Sequence, residues 1–253
     1  MGLGQPLRFS RDEDISWSPQ IATGRPAARF TELSAALALH SRPDPRLLNV
    51  WADLREFSAR VNDTVARGAK VPMDIASRLA TSVPYWLLRL RVDEGLVGEG
   101  AACGGLLHEL LRLCMLAYAK TLLIKLPGIG RKMVVLVEGL RGSLTAWHCD
   151  LRLRAVGGGV SGEDVLEGAR RLLLWAVFVA SVAIFEESDE DWLRDILVQT
   201  VMELGLRAWG EARAVLKEFL WIDIVFDRPG ERLFRQFSLE GSEGGTDLSV
   251  MSS

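Results

Sequence analysis

The sequence predicts an all-α protein: a multi-helix, bundle-like single domain with disordered ends in a chain of 253 residues. Three observations carry that prediction. Between residues 29 and 237, apolar residues recur at three- and four-residue spacing in almost every segment. Prolines and glycines fall where those segments start and stop. No run alternates apolar and polar residues between hairpin turns, and no repeat of fixed period appears.

Residues 1–28 mix Gly, Pro, Ser and charge with little periodicity, and read as a loose lead-in. Pro45 opens a helix with Leu47, Trp51, Leu54, Val61 and Val65 on one stripe, closed by Gly68. Asp74 starts a shorter helix, which Pro84 is expected to kink or restart before Tyr85-Trp86-Leu87-Leu88. Gly104-Gly105 precedes a long apolar helix reaching about Lys125, with His108, Glu109, Arg112 and Lys120 on its polar side. Pro127-Gly128-Ile129-Gly130 turns the chain into a helix expected to end near Cys149. Ala155 to Gly162 reads as a glycine-rich loop whose Ser161 can cap the next helix.

That next helix carries LLLWAVFVASVAIF, Leu172 to Phe185. At fourteen residues the run is shorter than the ~20 a membrane span requires, so a central buried helix is expected, with Arg170-Arg171 and Glu186-Glu187 at its ends. Asp189 can cap a helix with the stripe Trp192, Ile196, Leu197, Val201 and Leu204. A further helix from about Trp209 buries Val215, Leu216, Phe219 and Leu220. Pro229 then suits the first turn of a short last helix carrying Leu233, Phe234 and Phe237. Residues 238–253 read as a disordered tail.

Composition narrows the function. Hydrophobic residues are 49% and charged residues 25%, which is globular rather than disordered. A net charge of −3 argues against broad electrostatic capture of nucleic acid. The cysteines, Cys103, Cys114 and Cys149, are too few and too scattered for a disulfide framework, and are expected as small buried apolar residues. Met1 to Pro6 shows no secretory signal, and Pro6 stands where a myristoylation site carries Ser or Thr.

Candidates for chemistry are few. His148, Cys149 and Asp150 are adjacent, but successive helical residues point about 100° apart and cannot face one another as nucleophile, base and orienter. An exposed helix end is the expectation there. With His40, His108 and His148 as the histidines, no spacing suggests a zinc or iron site. Gly157-Gly158-Gly159 follows no strand and precedes no phosphate-binding lysine, so it reads as a connector. Asp223, inside the apolar run Phe219 to Phe226, is expected to form a structural ion pair, because an unpaired buried carboxylate is costly. Catalytic, cofactor and metal residues are therefore expected to be none.

The segment Leu126-Pro127-Gly128-Ile129-Gly130-Arg131-Lys132 resembles the hairpin of helix-hairpin-helix DNA-binding proteins, especially the DNA glycosylases. That resemblance implies glycine amides against a phosphate backbone, Lys132 as a Schiff-base lysine and Asp150 as its downstream carboxylate. A structural turn between helices is the competing reading of the same residues.

A wider resemblance covers about residues 45–237. Leu106 to Lys125 (LLHELLRLCMLAYAKTLLIK), Leu172 to Glu187 (LLLWAVFVASVAIFEE), Asp191-Trp192-Leu193 and Trp209 to Gly230 (WGEARAVLKEFLWIDIVFDRPG) look like the C-terminal regulatory region of fungal zinc-cluster transcription factors. The resemblance implies a non-catalytic helical regulatory or interaction domain in the nucleus. It implies protein partners or self-association, and a small-molecule effector. The family's six-cysteine zinc cluster cannot form here, because residues 1–102 contain no cysteine. No direct DNA binding is therefore expected of this chain alone. A fragment, a mis-split gene product and a factor-like protein that lost DNA binding are the alternatives, with a cytoplasmic location if the resemblance fails.

Overall fold

Nine consecutive residues, Leu172 to Ala180, are all buried. A helix that is hydrophobic all round has to be enclosed by other elements, and the helix bearing this run is the axle of the fold. The computed structural model describes residues 19, 21–22, 31–40, 43–70, 73–90, 102–123, 134–157, 162–184 and 190–240. After a 3-10 turn at Thr31–Leu33 come α1 (Ser34–Leu39), α2 (Pro45–Ala66), α3 (Met73–Arg89), α4 (Ala102–Leu123) and α5 (Val134–Val156). Then follow α6 (Glu163–Ala183), α7 (Glu190–Glu203), α8 (Trp209–Leu216) and α9 (Asp223–Glu240), and there is no strand among the described residues. The class is all-α.

Helix α6 packs against α1, α4, α5, α7, α8 and α9, while α3 bridges α2 and α4. The buried residues from Ile21 to Phe237 form one hydrophobic cluster. No described helix is long and apolar enough to cross a membrane.

Local chemistry sets several boundaries as expected. Asp44 caps α2 by accepting the Arg46 N–H at 2.8 Å, and Pro45 takes the first helical position, where its missing N–H costs nothing. Gly68 closes the helix at φ +67. Its N–H reaches the Val65 carbonyl and the Ala69 N–H reaches Thr64, the paired bonds of a Schellman stop.

Other boundaries differ. Pro84 lies inside α3, which runs unbroken through it. Leu79, Val83, Trp86 and Leu87 are buried on both sides of the proline, so tertiary packing holds one helix where propensity alone favours a break. Gly104 and Gly105 lie within α4 rather than before it. The polar side expected on α4 is partly interior. Arg112 is buried, forked onto Glu109 at 2.7 and 2.5 Å, and bonded to the Leu87 carbonyl of α3 at 3.1 Å.

Helix α5 passes Cys149 and ends at Val156, so His148 to Asp150 are not a helix end and the glycine loop starts later. Gly162, with no side-chain cap, stands at the N-cap of α6, and Arg170-Arg171 fall mid-helix. Ser161, Glu186, Glu187 and Asp189 lie outside the described residues.

The largest departure follows Trp209. Helix α8 stops at Leu216, and Phe219, Leu220, Trp221 and Ile222 are all buried in an irregular segment. Four consecutive residues cannot all face inward from a helix on the surface. Leaving the helix frees backbone groups, and side chains meet them: Trp175 Nε1 donates to the Leu220 carbonyl at 2.9 Å and Asn62 Nδ2 to the Trp221 carbonyl at 2.8 Å. The last helix therefore begins at Asp223, and Pro229 is inside it rather than in its first turn. That helix continues to Glu240, past the expected boundary at 237, while 241–253 are outside the described residues. Within the lead-in, the Ile21 and Ala22 N–H groups both donate to Asp53 Oδ1 at 2.9 Å and Ile21 joins the core.

Candidate functional site

Helix α5 carries most of the polar candidates, and its 100° step divides them among separate surroundings. Trp147 faces the core, its ring 4.5 Å from that of His40. His148 is half-buried, Cys149 is exposed, and Asp150 points elsewhere. Asp150 Oδ2 accepts from Arg154 Nε at 2.7 Å and lies 3.2 Å from His40 Nε2. The three neighbours therefore share no reaction centre. Asp150 joins α5 to the end of α1.

The hairpin from Leu126 to Lys132 lies outside the described residues. His108 is engaged through both nitrogens: the Asp44 N–H donates to Nδ1 at 3.4 Å and Nε2 is 3.0 Å from the Leu90 carbonyl. Accepting at Nδ1 requires the proton on Nε2, so His108 works as a strut between chain segments. Cys114 is fully buried, and burial pushes its thiol pKa up; Cys149 departs from the expected buried state. Cys103 is on α4, but its side chain is outside the described set. Gly158 and Gly159 also lie outside the described residues. Among the described residues, no three His, Cys, Asp or Glu side chains converge as metal ligands.

Asp223 does form ion pairs, with Arg213 at 3.0 Å and Lys217 at 2.9 Å. It sits in the first turn of α9, where a carboxylate also complements the helix dipole. Arg213 extends from there to Asp227 through two bonds of 3.0 and 2.8 Å, and the Trp221 indole N–H donates to the same carboxylate at 2.9 Å. Burial alone raises the Asp227 pKa, but the Arg213 fork and the indole bond outweigh it and hold the carboxyl below its ordinary value.

Among the described residues a cleft of about 650 Å³ opens between α5, α7 and α9. His148 and Arg152 line one wall, one helical turn apart; Arg194, Asp195 and Gln199 of α7 face them. Phe237 of α9 completes the floor, with the Arg194 guanidinium 5.8 Å above its ring. Burial lowers the His148 pKa, against opposing contributions from Glu203 and Gln199. The cleft thus combines two guanidinium groups, the Asp195 carboxylate, an imidazole whose pKa burial lowers and an apolar floor, the mixture of polar and apolar groups found in small-ligand sites. Sequence reasoning did not assemble it. The i, i+4 pair His148–Arg152 was visible, but its facing partners come from α7 and α9.

The chain matches no protein family, no characterised protein and no solved structure with which it was compared.

Proposed function

We propose that the chain is a non-catalytic helical regulatory or interaction domain, similar to that of fungal zinc-cluster transcription factors, without a DNA-reading cluster of its own. The supporting observation is how the Trp209–Gly230 stretch, the most distinctive part of the resemblance, is used. Arg213 and Trp221 both donate to the Asp227 carboxylate, and a Cβ on Gly230 would stand 2.8 Å from the Trp209 ring. The unusual residues of that stretch are one interlocked structural unit. On this reading the α5–α7–α9 cleft receives the effector, the helix surfaces receive protein partners, and the place of action is the nucleus.

The reading is tested by fusing the chain to a heterologous DNA-binding domain and measuring reporter output, while the unfused protein is titrated with random-sequence and selected DNA. The fusion is expected to change transcription and the unfused chain to show no sequence selectivity. Tight, selective DNA binding by the chain alone overturns it. So does borohydride trapping on abasic DNA that Lys132→Ala abolishes, which would establish the lyase reading built on Lys132 and Asp150.

A further inference from the structure

The cleft between α5, α7 and α9 holds two opposite charges that are left apart. Arg152, on the α5 wall, has no carboxylate within ion-pair distance among the described residues. Arg154 and Arg170 nearby are paired, with Asp150 at 2.7 Å and with Glu203 at 2.8 Å. Asp195, on the α7 wall, likewise has no cation within ion-pair distance, and it does not pair with Arg152. Arg194 is engaged differently, its guanidinium 5.8 Å above the Phe237 ring. Arg78 and Arg228 are equally without an ion-pair partner. What sets Arg152 apart is its setting, a cleft that also presents an unpaired carboxylate and an apolar surface. Phe237 supplies the buried part of that surface, and Met202, 73% exposed, supplies its rim. A methionine thioether adapts to irregular apolar partners.

We propose that the cleft takes a small zwitterion with an apolar body, the chemical class of an apolar α-amino acid. Arg152 holds its carboxylate, Asp195 holds its ammonium, and the apolar portion lies against Phe237 and Met202. A plain anion satisfies Arg152 and sets its negative end in a cleft shared with an unanswered Asp195. A plain cation has the converse fault. A zwitterion answers both groups at once, and each contact is a charge-assisted hydrogen bond. The volume of about 650 Å³ falls within the roughly 300–1,000 Å³ of small-ligand sites. Arg152 and Asp195 are both exposed, so water screens each contact and the affinity is modest. Discrimination between ligands therefore comes from requiring both charges and the apolar body together. The proposal rests on the reading of this cleft as the effector site and names the class of effector.

Calorimetric titration of the full chain with L-phenylalanine at neutral pH, carried to millimolar concentration, is expected to show saturable binding. Phenylpropionate lacks the ammonium and phenethylamine lacks the carboxylate. Each is expected to bind roughly tenfold more weakly, the scale of one hydrogen bond to a charged group. Glycine keeps both charges without the apolar body, and should also bind more weakly. Asp195→Asn is expected to weaken phenylalanine but not phenylpropionate, erasing the gap between them. Arg152→Gln should erase the gap between phenylalanine and phenethylamine in the same way. Neither side chain has an ion pair to lose, so the urea midpoints of both variants should match that of the unsubstituted chain. Three results each overturn the proposal. One is no binding of either L-phenylalanine or L-leucine. Another is phenylpropionate, phenethylamine or glycine binding as tightly as phenylalanine. The third is gaps that survive both substitutions. The reporter assay stands apart from these titrations. A fusion that changes transcription while the chain binds none of the probes removes this ligand class and leaves the regulatory reading intact.

Discussion

Asn62 binds Trp221 across 159 residues of sequence: its Nδ2 donates to the Trp221 carbonyl at 2.8 Å while its Oδ1 accepts the Asp223 N–H at 3.0 Å. One amide thus satisfies the chain on both sides of the entry into α9, where the irregular segment leaves its backbone unpaired. Replacing Asn62 with Ala strands a partly buried carbonyl and N–H together. The expected cost is about 1–3 kcal/mol, read as a lower urea midpoint with unchanged slope. Asn62→Asp keeps the acceptor but sets a carboxylate against the Trp221 carbonyl, so at neutral pH it should cost more than the alanine change.

Glycine substitutions should separate close packing from mere helix propensity. A Cβ on Gly168 of α6 would lie 2.4 Å from the Ala35 Cβ of α1, and one on Gly230 2.8 Å from the Trp209 ring. Neither neighbour can retreat freely, since α1 packs on α6 and Trp209 stands among Phe178, Trp221 and Phe234. Gly168→Ala and Gly230→Ala are each expected to destabilise by ~1–3 kcal/mol through overpacking. Gly210 in α8 has nothing within 4 Å, and Gly210→Ala should raise stability by about 0.5 kcal/mol. Equal midpoints for all three variants would remove close packing as the reason for Gly168 and Gly230.

Local signals were legible wherever one residue decides the matter. Pro45 and Gly68 bounded α2, and the unbroken apolar run at Leu172 announced a helix enclosed on all sides. Signals that depend on distant partners were not. Pro84 read as a kink or restart and Pro229 as a helix start because local propensity is against proline inside a helix, yet both lie within helices, and buried stripes on both sides of Pro84 hold α3 together. The end of α8 was hidden because Phe219 to Ile222 are apolar enough for a helix; Asn62 and Trp175, far away in sequence, make the irregular path affordable in hydrogen bonds. Asp223 was readable as an ion-pair residue, since an apolar context alone demands a partner, although the partners Arg213 and Lys217 needed the fold. The cleft lining was beyond sequence for the same reason, because His148, Arg194 and Phe237 come from separate helices.

Thiol chemistry should follow burial. Cys149 is exposed on α5, while Cys114 is fully buried and its raised pKa disfavours the reactive thiolate. In a Cys103→Ser background, one thiol is expected to react with Ellman's reagent in the native protein and a second only after unfolding. Cys149→Ser should abolish the native reaction. Rapid reaction of Cys114 under native conditions would mean that α4 opens far more readily than its enclosed position implies.

The half-buried His148 gives the fold a pH dependence whose sign is fixed. Burial lowers its pKa in the folded chain, so on acidification the unfolded chain takes up this proton first. The unfolded state then binds more protons, and stability falls with pH. The contribution is fully present above the unfolded value of about 6.5, declines as pH drops toward the folded value, and levels off below it. Asp227, held low by Arg213 and Trp221, acts only at more acidic pH, where its stabilisation is lost as pH falls through its folded pKa. Between pH 7 and 5 the two effects are therefore separable. His148→Gln, which cannot take up the proton, is expected to flatten the fall of the urea midpoint across that interval relative to the unsubstituted chain. An anionic ligand seated between Arg152 and Arg194 would favour protonated His148, so its binding should strengthen as pH falls through the same window. Equal pH slopes with and without the substitution would show that the imidazole titrates as freely in the folded protein as in the unfolded one.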